Sequence, residues 1–547
     1  MYAGPQPSDR RELVTEMKNS TIPIIVGVTG HRDIRDEDRD ILLEAVRGEL
    51  EKLAAACPNS ELVMLSSLAD GADSLCAEAA LSLSVPLIAA LPMERDEYEK
   101  DFSGEALSRF RALCGAAGDL FAVPAAEPVP EKPDRDFLYR QAGIYVAEHA
   151  HVLIALWDGK EGASGCGTAE TVQFALERAY LPADGAPPAY GGAVIHIETP
   201  RAGGAAEAEL KAGNTSFLGD RERFDAVLAR TDEFNRLSAA EAQANDPLLP
   251  AGHEADACLD RLEAAYSAAD TLSLRFSKRY RLLLALLALF GTAITVAFLL
   301  YDEAELHWMI ILCGVVLAAA FIAQRYGNRL ACHRRYIEYR TLAETLRVQA
   351  FLRYAGSGVG VLRVTPLSTQ AETPWVVPAV NACAIAAAPH AAHPIRACWV
   401  DLQRDYHAQA LKKSSRSFNL SERTVGAALI VSIAVYLLAL VYELVFGGLL
   451  PTPLRIENAE PMRTVIKLIL GSISAATLFV SNYFGRLSLS RSVADHAKME
   501  RFYSSIGSHI DRLGQTETVL CRLAREELIE NSNWCACQRD NGLHFSL

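Results

Sequence analysis

Four long apolar runs confined to the second half of the chain constrain its fold more than any other feature. Residues 282–301 carry no charge, and at 1.5 Å per residue a helix of that length crosses the hydrocarbon core of a bilayer, which is about 30 Å thick. A second run, 306–324, follows a short loop holding Asp302, Glu303 and Glu305. Arg275, Lys278, Arg279 and Arg281 precede this pair, and Arg325, Arg329, Arg334 and Arg335 follow it, so the positive-inside rule predicts a hairpin with both ends in the cytoplasm. Runs 424–450 and 466–485 predict a second hairpin, flanked by Lys412, Lys413, Arg416 and Arg423 and by Arg486 and Arg491. Its outer loop, 451–465, also holds Arg455 and Arg463, so its orientation is taken from the first. Glu443 and Lys467, near the outer ends of these spans, either snorkel to the interface or mark a pore mouth. Two buried core helices would explain the first pair only if its surface were less uniformly apolar.

Composition bounds the rest. Among 547 residues, Lys+Arg 53 against Asp+Glu 67 leaves a net charge of −14, which argues against nucleic acid as the main partner. Hydrophobic residues at 50% and charged residues at 22% exclude a disordered or collagen-like chain. The first twenty residues hold no apolar stretch, so no cleaved signal peptide is expected and this end belongs in the cytoplasm. The twelve cysteines are scattered singly except for Cys535 and Cys537, a spacing that supplies no metal-ligand set and predicts reduced thiols.

Between residues 22 and 200 short apolar runs alternate with amphipathic stretches, the pattern of a parallel sheet covered by helices. Strands are predicted at 24–28, 62–66, 87–91, 120–123, 152–157 and 194–197. A helix over 37–55 would turn Ile41, Leu42, Ala45, Leu50 and Leu53 to one face, with Asp36 as its N-terminal cap. Ligands of such sheets bind beyond the carboxyl ends of the strands. There the sequence places Gly27-Val28-Thr29-Gly30-His31-Arg32-Asp33, then Ser66-Ser67-Leu68-Ala69-Asp70-Gly71-Ala72-Asp73, then Trp157-Asp158-Gly159 ahead of Ser164-Gly165-Cys166-Gly167-Thr168-Ala169-Glu170. Glycines let backbone approach a ligand, and amides at a helix start hold an anion. The candidate ligand-binding residues are Gly27, Thr29, Gly30, Arg32, Ser67, Asp70, Gly71, Gly165, Gly167, Thr168 and Glu170.

These turns carry a resemblance. Residues 27–180 resemble the SLOG superfamily, Rossmann-like domains related to DprA and to the LOG phosphoribohydrolases. Gly27-Val28-Thr29-Gly30-His31-Arg32 is similar to the family's opening turn. Asp70-Gly71-Ala72-Asp73 with Ala77-Glu78-Ala79-Ala80-Leu81 is similar to its second motif, and Gly165-Cys166-Gly167-Thr168-Ala169-Glu170 to the LOG GGxGTxxE box. The resemblance implies binding of a nucleotide-derived ligand, of ADP-ribose or cyclic-nucleotide type, with no other cofactor. Ala163-Ser164-Gly165 replaces the proline and paired glycines that open the LOG box, and the sequence offers no counterpart to that branch's catalytic arginine. Binding is therefore expected ahead of hydrolysis, with Glu170 as acid or base if the enzyme alternative holds.

Helical segments flank the spans. Over 333–353, Tyr336, Tyr339, Ala343, Leu346 and Ala350 recur at spacings of three and four, and Arg334, Glu338, Arg340, Glu344 and Arg347 mark wetter faces. One rod from 306, a helix over 399–415 and an amphipathic tail helix over 495–529 are expected. The stretches Tyr339-Arg340-Thr341-Leu342-Ala343-Glu344, Trp399-Val400-Asp401-Leu402-Gln403 and Leu523-Ala524-Arg525-Glu526-Glu527, with Glu530-Asn531 and Trp534, resemble SLATT-type membrane modules.

The expected architecture is thus an α/β Rossmann-like parallel sheet followed by an α-helical membrane domain with four transmembrane helices in two hairpins. Its segments are a tail (1–21), the α/β domain (22–200), a helical connector (201–273), hairpin one (274–356), a cytosolic linker (357–415) and hairpin two (416–547). The resemblances imply a homo-oligomeric sensor-effector of the bacterial inner membrane, both termini cytoplasmic, in antiphage or conflict defence. A membrane-tethered nucleotide hydrolase is the alternative. A transporter fits less well, because no span carries a central ionisable residue.

Overall fold

The computed structural model describes residues 22–160, 167–177, 191–203, 210–240, 247–250, 255–388, 391–446, 458, 460–486 and 488–540. The described chain divides into two units. The first joins the N-terminal 272 residues to Glu338–Cys398 and Leu513–Ser532, and the second joins Ser273–Ile337, Trp399–Arg512 and the C-terminal residues.

In the first unit the strands are β1 (Ile24–Gly30), β2 (Leu62–Ser66), β3 (Leu87–Leu91), β4 (Asp119–Ala122), β5 (Val152–Trp157), β6 (Ala193–Glu198) and β7 (Thr215–Leu218). Among the described residues they form one sheet in the order β4-β3-β2-β1-β5-β6-β7, parallel except for β7. Six strands lie where the apolar runs predict them. The seventh falls inside the expected connector, because a four-residue edge strand with one polar face leaves no apolar run to read.

Helices α1 (Arg39–Ala56), α2 (Ala72–Ser82), α3 (Gly104–Ala116), α4 (Arg135–His149), α5 (Thr168–Glu177) and α6 (Arg221–Ser238) cover the sheet. Asp134 caps α4 by accepting from the Phe137 amide at 2.8 Å, and Asp220 caps α6 through the Arg223 amide at 3.0 Å. Asp36 does not cap α1. It starts a single 3-10 turn, Asp36–Asp38, ahead of the helix. This one-turn offset rotates the buried face to Leu42, Val46, Leu50 and Leu53 and leaves Ile41 exposed.

α6 is no loose connector. Asn235 brackets Ile22, two residues ahead of β1, accepting from its amide and donating to its carbonyl, both at 2.8 Å, while Asp232 accepts from the Asn59 amide at 2.8 Å. The α/β domain therefore extends beyond the boundary predicted at residue 200.

The later helices are α7 (Ala257–Glu303), α8 (Met309–Arg329), α9 (Cys332–Tyr354), α10 (Val376–Cys383), α11 (Leu402–Val445), α12 (Glu460–Arg486), α13 (Leu489–Leu513) and α14 (Glu517–Asp540). The rod expected from residue 306 is broken between α8 and α9, where Ala331 has a φ of 46°. The expected tail helix is two helices, separated at Gly514, whose φ of 81° suits glycine best.

α9 also corrects the predicted wet face. Glu338, Glu344 and Arg347 are buried. Arg347 pairs with Glu344 and, at 2.5 Å, with Glu527 of α14, while Arg340 pairs with Glu344 and lies 3.5 Å from Asp270 of α7. Charges on a sequence read as solvated until their partners, here on remote helices, are known.

Among the described residues, four helical stretches are long and apolar enough to cross a membrane, and at most 11% of the most apolar window of each is buried. That exposure overturns the core-helix alternative: Ile311, Phe321, Ile430 and Leu438 would otherwise face water. Within the second unit these helices meet at glycine notches, with Gly291 against Phe479, Gly471 against Leu299 and Gly327 against Leu283. Glu443 is paired with Arg463 through two contacts of 2.6 and 2.8 Å, and Lys467 with Glu303 at 2.8 Å. Neither is a lone charge at a helix end.

Candidate functional site

A parallel sheet opens a crevice where successive crossovers leave one strand in opposite directions. Here the chain runs outward from β1 through β2, β3 and β4, then returns to place β5 on the other side of β1. The switch point lies between the ends of β1 and β5, and the residues that follow those strands are His31 and Asp158.

These two meet, and neither was among the sequence candidates. His31 Nε2 accepts from the Asp158 amide at 3.0 Å and lies 3.2 Å from Asp158 Oδ1, while Arg201 Nε approaches the same nitrogen at 3.3 Å. Burial, then the Arg201 charge, lowers the His31 pKa, so the ring is neutral with an Nε2 lone pair to accept these donors. Burial pushes the Asp158 carboxyl up, but the Lys160 amide, His31 and Arg201 together hold it below its ordinary value. The signal in the sequence was positional: each residue directly follows a central strand.

Arg32 lies beside this pair. Its side chain is exposed, and its guanidinium carbon is 4.8 Å from the centre of the Tyr139 ring on α4. Tyr139 in turn donates to Asp101, which also receives Arg135 at 2.6 Å. Asp73, in the first turn of α2, is buried near Arg32. Burial pushes its carboxyl up to about 7, against the Ala69 amide, the Arg32 charge and Ser66. Near neutral pH it can thus donate or accept. The motif residues alone give no hint of this, since burial is not visible in Asp-Gly-Ala-Asp.

The glycines divide by role. Gly27 is buried in mid-strand, where a Cβ would lie 2.8 Å from that of Ala150 and 2.9 Å from Val146 Cγ1, so it admits α4 and does not reach the sheet edge as predicted. At Gly30 a Cβ would lie 2.3 Å from that of Ala72. At Gly71, with φ +82°, it would lie 2.5 Å from the carbonyl oxygens of both His31 and Arg32. These two let the β1 and β2 turns touch backbone to backbone, through a 3.0 Å bond from the Ala72 amide to the His31 carbonyl. Thr29 and Ser67 are half-buried at the same edge. Asp70 faces Arg109 of α3 at 3.4 Å, and Arg109 also approaches Glu78, itself paired with Arg39.

The Gly-Thr-x-Glu segment starts α5. Gly167 accepts from the Thr171 amide at 3.1 Å, Thr168 opens the helix, and Glu170 binds Arg140 of α4. Glu170 Oε2 is buried with no partner among the described residues. Gly165 lies outside the described residues. Arg140, absent from the sequence candidates, also contacts Glu127 at 3.0 Å and stacks 4.7 Å from the Phe174 ring centre. Tyr139 and Arg140 are consecutive on α4, so one helix supplies the partners of both Arg32 and Glu170.

Residues 264–359 match the family described as Protein of unknown function (DUF4231). The match spans most of α7, all of α8 and α9, and the glycine-rich turn that follows; it leaves out the sheet. Comparison with curated proteins gives no match.

Proposed function

We propose that the chain is a membrane-bound sensor-effector. Its SLOG-like α/β domain binds a nucleotide-derived signal at the β1/β5 switch point, and its SLATT-like helices permeabilise the bilayer in response. The observation that carries this reading is the Arg32 guanidinium, stacked on Tyr139 and neighboured by Asp73 at the strand ends, in a chain that also holds four membrane-length apolar stretches. Arg32 supplies charge-assisted donors for a phosphate, and Asp73 a polar partner for a sugar hydroxyl. α7 contributes its first residues to the sheet-bearing unit and its apolar stretch to the other, so ligand energy has a covalent route to the spans. Four helices per subunit leave little room for a central aqueous path, hence a homo-oligomer, in a bacterial inner membrane with both termini cytoplasmic, serving antiphage defence.

Protein in liposomes, challenged with ADP-ribose or cyclic nucleotides, should release trapped dye with one of them, and Arg32→Gln should abolish release. Binding without release would sink the effector half of the reading.

A second reading, a membrane-tethered nucleotide hydrolase, is favoured by the Arg140–Glu170 pair, which supplies an arginine beside the LOG-like glutamate. Chromatography of each incubation for free base or ribose phosphate separates the two. Product formed by wild type and not by Glu170→Gln, together with lost release, would make catalysis part of the output.

A further inference from the structure

Away from the sheet's switch point, α9 ends in the turn Gly356-Ser357-Gly358-Val359-Gly360, which lines a cavity of about 90 Å³ together with Arg353, Arg363 and Glu148. Its backbone donors can be accounted for one by one. The Ser357 amide donates to the Leu352 carbonyl, the Val359 amide to Ser357 Oγ at 3.1 Å, and the Val361 amide to Gln349 Oε1 at 2.9 Å. The amides of Gly358 and Gly360 have no partner among the described residues. Ser357 Oγ donates to Glu517 Oε1 at 2.7 Å, which pins the turn in place.

Two guanidiniums border the same space with donors to spare. Arg353 uses Nε on Asp256 at 2.7 Å and Nη1 on the Ala387 carbonyl at 3.1 Å, while Arg363 uses Nη2 on the Ala126 carbonyl. Arg353 Nη2 and Arg363 Nε and Nη1 have no partner among the described residues. Glu148 adds a carboxylate: a Cβ at Gly360 would lie 3.4 Å from its Oε1. Arg353, Ala386 and Ala387 are shared with an adjoining cavity of about 300 Å³, a volume that accepts a small organic group.

We propose that this turn is a second ligand site, for a phosphate monoester of the sugar-phosphate or nucleoside-phosphate class. Two free amides, at alternate positions of one turn, and two guanidiniums are the donor set that a phosphate dianion satisfies. The smaller cavity has room for the phosphate, since one water needs only about 10–15 Å³ of it. The sugar extends toward the larger one, and Glu148 accepts from its hydroxyls, a contact that inorganic phosphate cannot make.

The test uses the full chain in detergent, carrying Arg32→Gln to keep probes off the strand ends, titrated calorimetrically with ribose 5-phosphate, AMP and inorganic phosphate. At least one ester should bind more tightly than inorganic phosphate. Gly358→Asp should weaken that ester about tenfold or more with unchanged Tm, because nothing lies within 4 Å of a Cβ at Gly358 and its backbone is not left-handed. Gly358→Ser should bind as the parent does, and Glu148→Gln should bring the ester to the level of inorganic phosphate. Failure of both esters to bind, unweakened binding by Gly358→Asp, or equal affinity for ester and inorganic phosphate would overturn the proposal.

Discussion

The Arg32 guanidinium carbon sits 4.8 Å from the centre of the Tyr139 ring, which fixes a cation at the sheet edge without spending its hydrogen-bond donors on a carboxylate. Tyr139→Ala should therefore weaken ADP-ribose or cyclic-nucleotide binding to the full chain by about tenfold, roughly 1.4 kcal/mol. Tyr139→Phe, which keeps the ring, should bind nearly as wild type. Equal affinities for wild type and Tyr139→Ala, measured by calorimetry, would remove Arg32 from the site.

Asp73 gives the protein a pH dependence of definite sign. Its folded pKa is raised from 3.8 to about 7, so between those values the folded state binds a proton that the unfolded state has lost. Stability from this group falls as pH rises from about 4 to 7 and is level above that. Buried His151 acts in the opposite sense: with its pKa lowered to about 4, it loses stability as pH falls below 6.5. Asp73→Asn isolates the first term. It should raise Tm by a few degrees at pH 8 and leave it nearly unchanged at pH 4. A Tm difference between variant and wild type that does not change with pH would refute the assignment.

The buried ion pairs of α9 should be costly to break. Glu527→Ala removes a buried carboxylate from Arg347 in a site where both partners are almost wholly enclosed, and should destabilise the first unit by about 3 kcal/mol. Thermal melts of the detergent-solubilised chain report this directly. A shift within error would mean that water reaches the pair.

Two kinds of glycine substitution should part company. Gly71→Ala places a methyl 2.5 Å from two carbonyl oxygens at a φ of +82°, and should cost about 1–3 kcal/mol of stability whether or not ligand is present. Gly167→Asp adds charge at the start of α5 and should abolish nucleotide binding while keeping Tm. Tight binding by folded Gly167→Asp would leave that glycine with only its part in starting the helix.

For topology, cysteines introduced at Ala304 and Asn458 should react with an impermeant maleimide added outside sealed cells. Labelling of position 458 from inside alone would contradict the two-hairpin arrangement.

Six strands and four membrane-length helices were legible in the sequence because each is a local pattern: an apolar run of strand length, or one of membrane length, has few alternative folds. The first turn of α1, the edge strand β7, and the breaks at Ala331 and Gly514 were not, since they depend on a single backbone angle or on pairing with a remote strand. The candidate site divides in the same way. The glycine turns after β1 and β2 were visible as residue types, but which glycines admit a neighbouring helix and which border the sheet edge is set by the approach of α2 and α4. His31 with Asp158, Arg140 with Glu170, and Arg347 with Glu527 join positions 127, 30 and 180 residues apart. Hydropathy is a property of neighbours along the chain, so the sequence by itself determined a sheet-bearing half and a membrane-length helical half. Burial and ion pairing are properties of neighbours in space, and only the tertiary structure decided which charges are partners and which remain to meet a ligand.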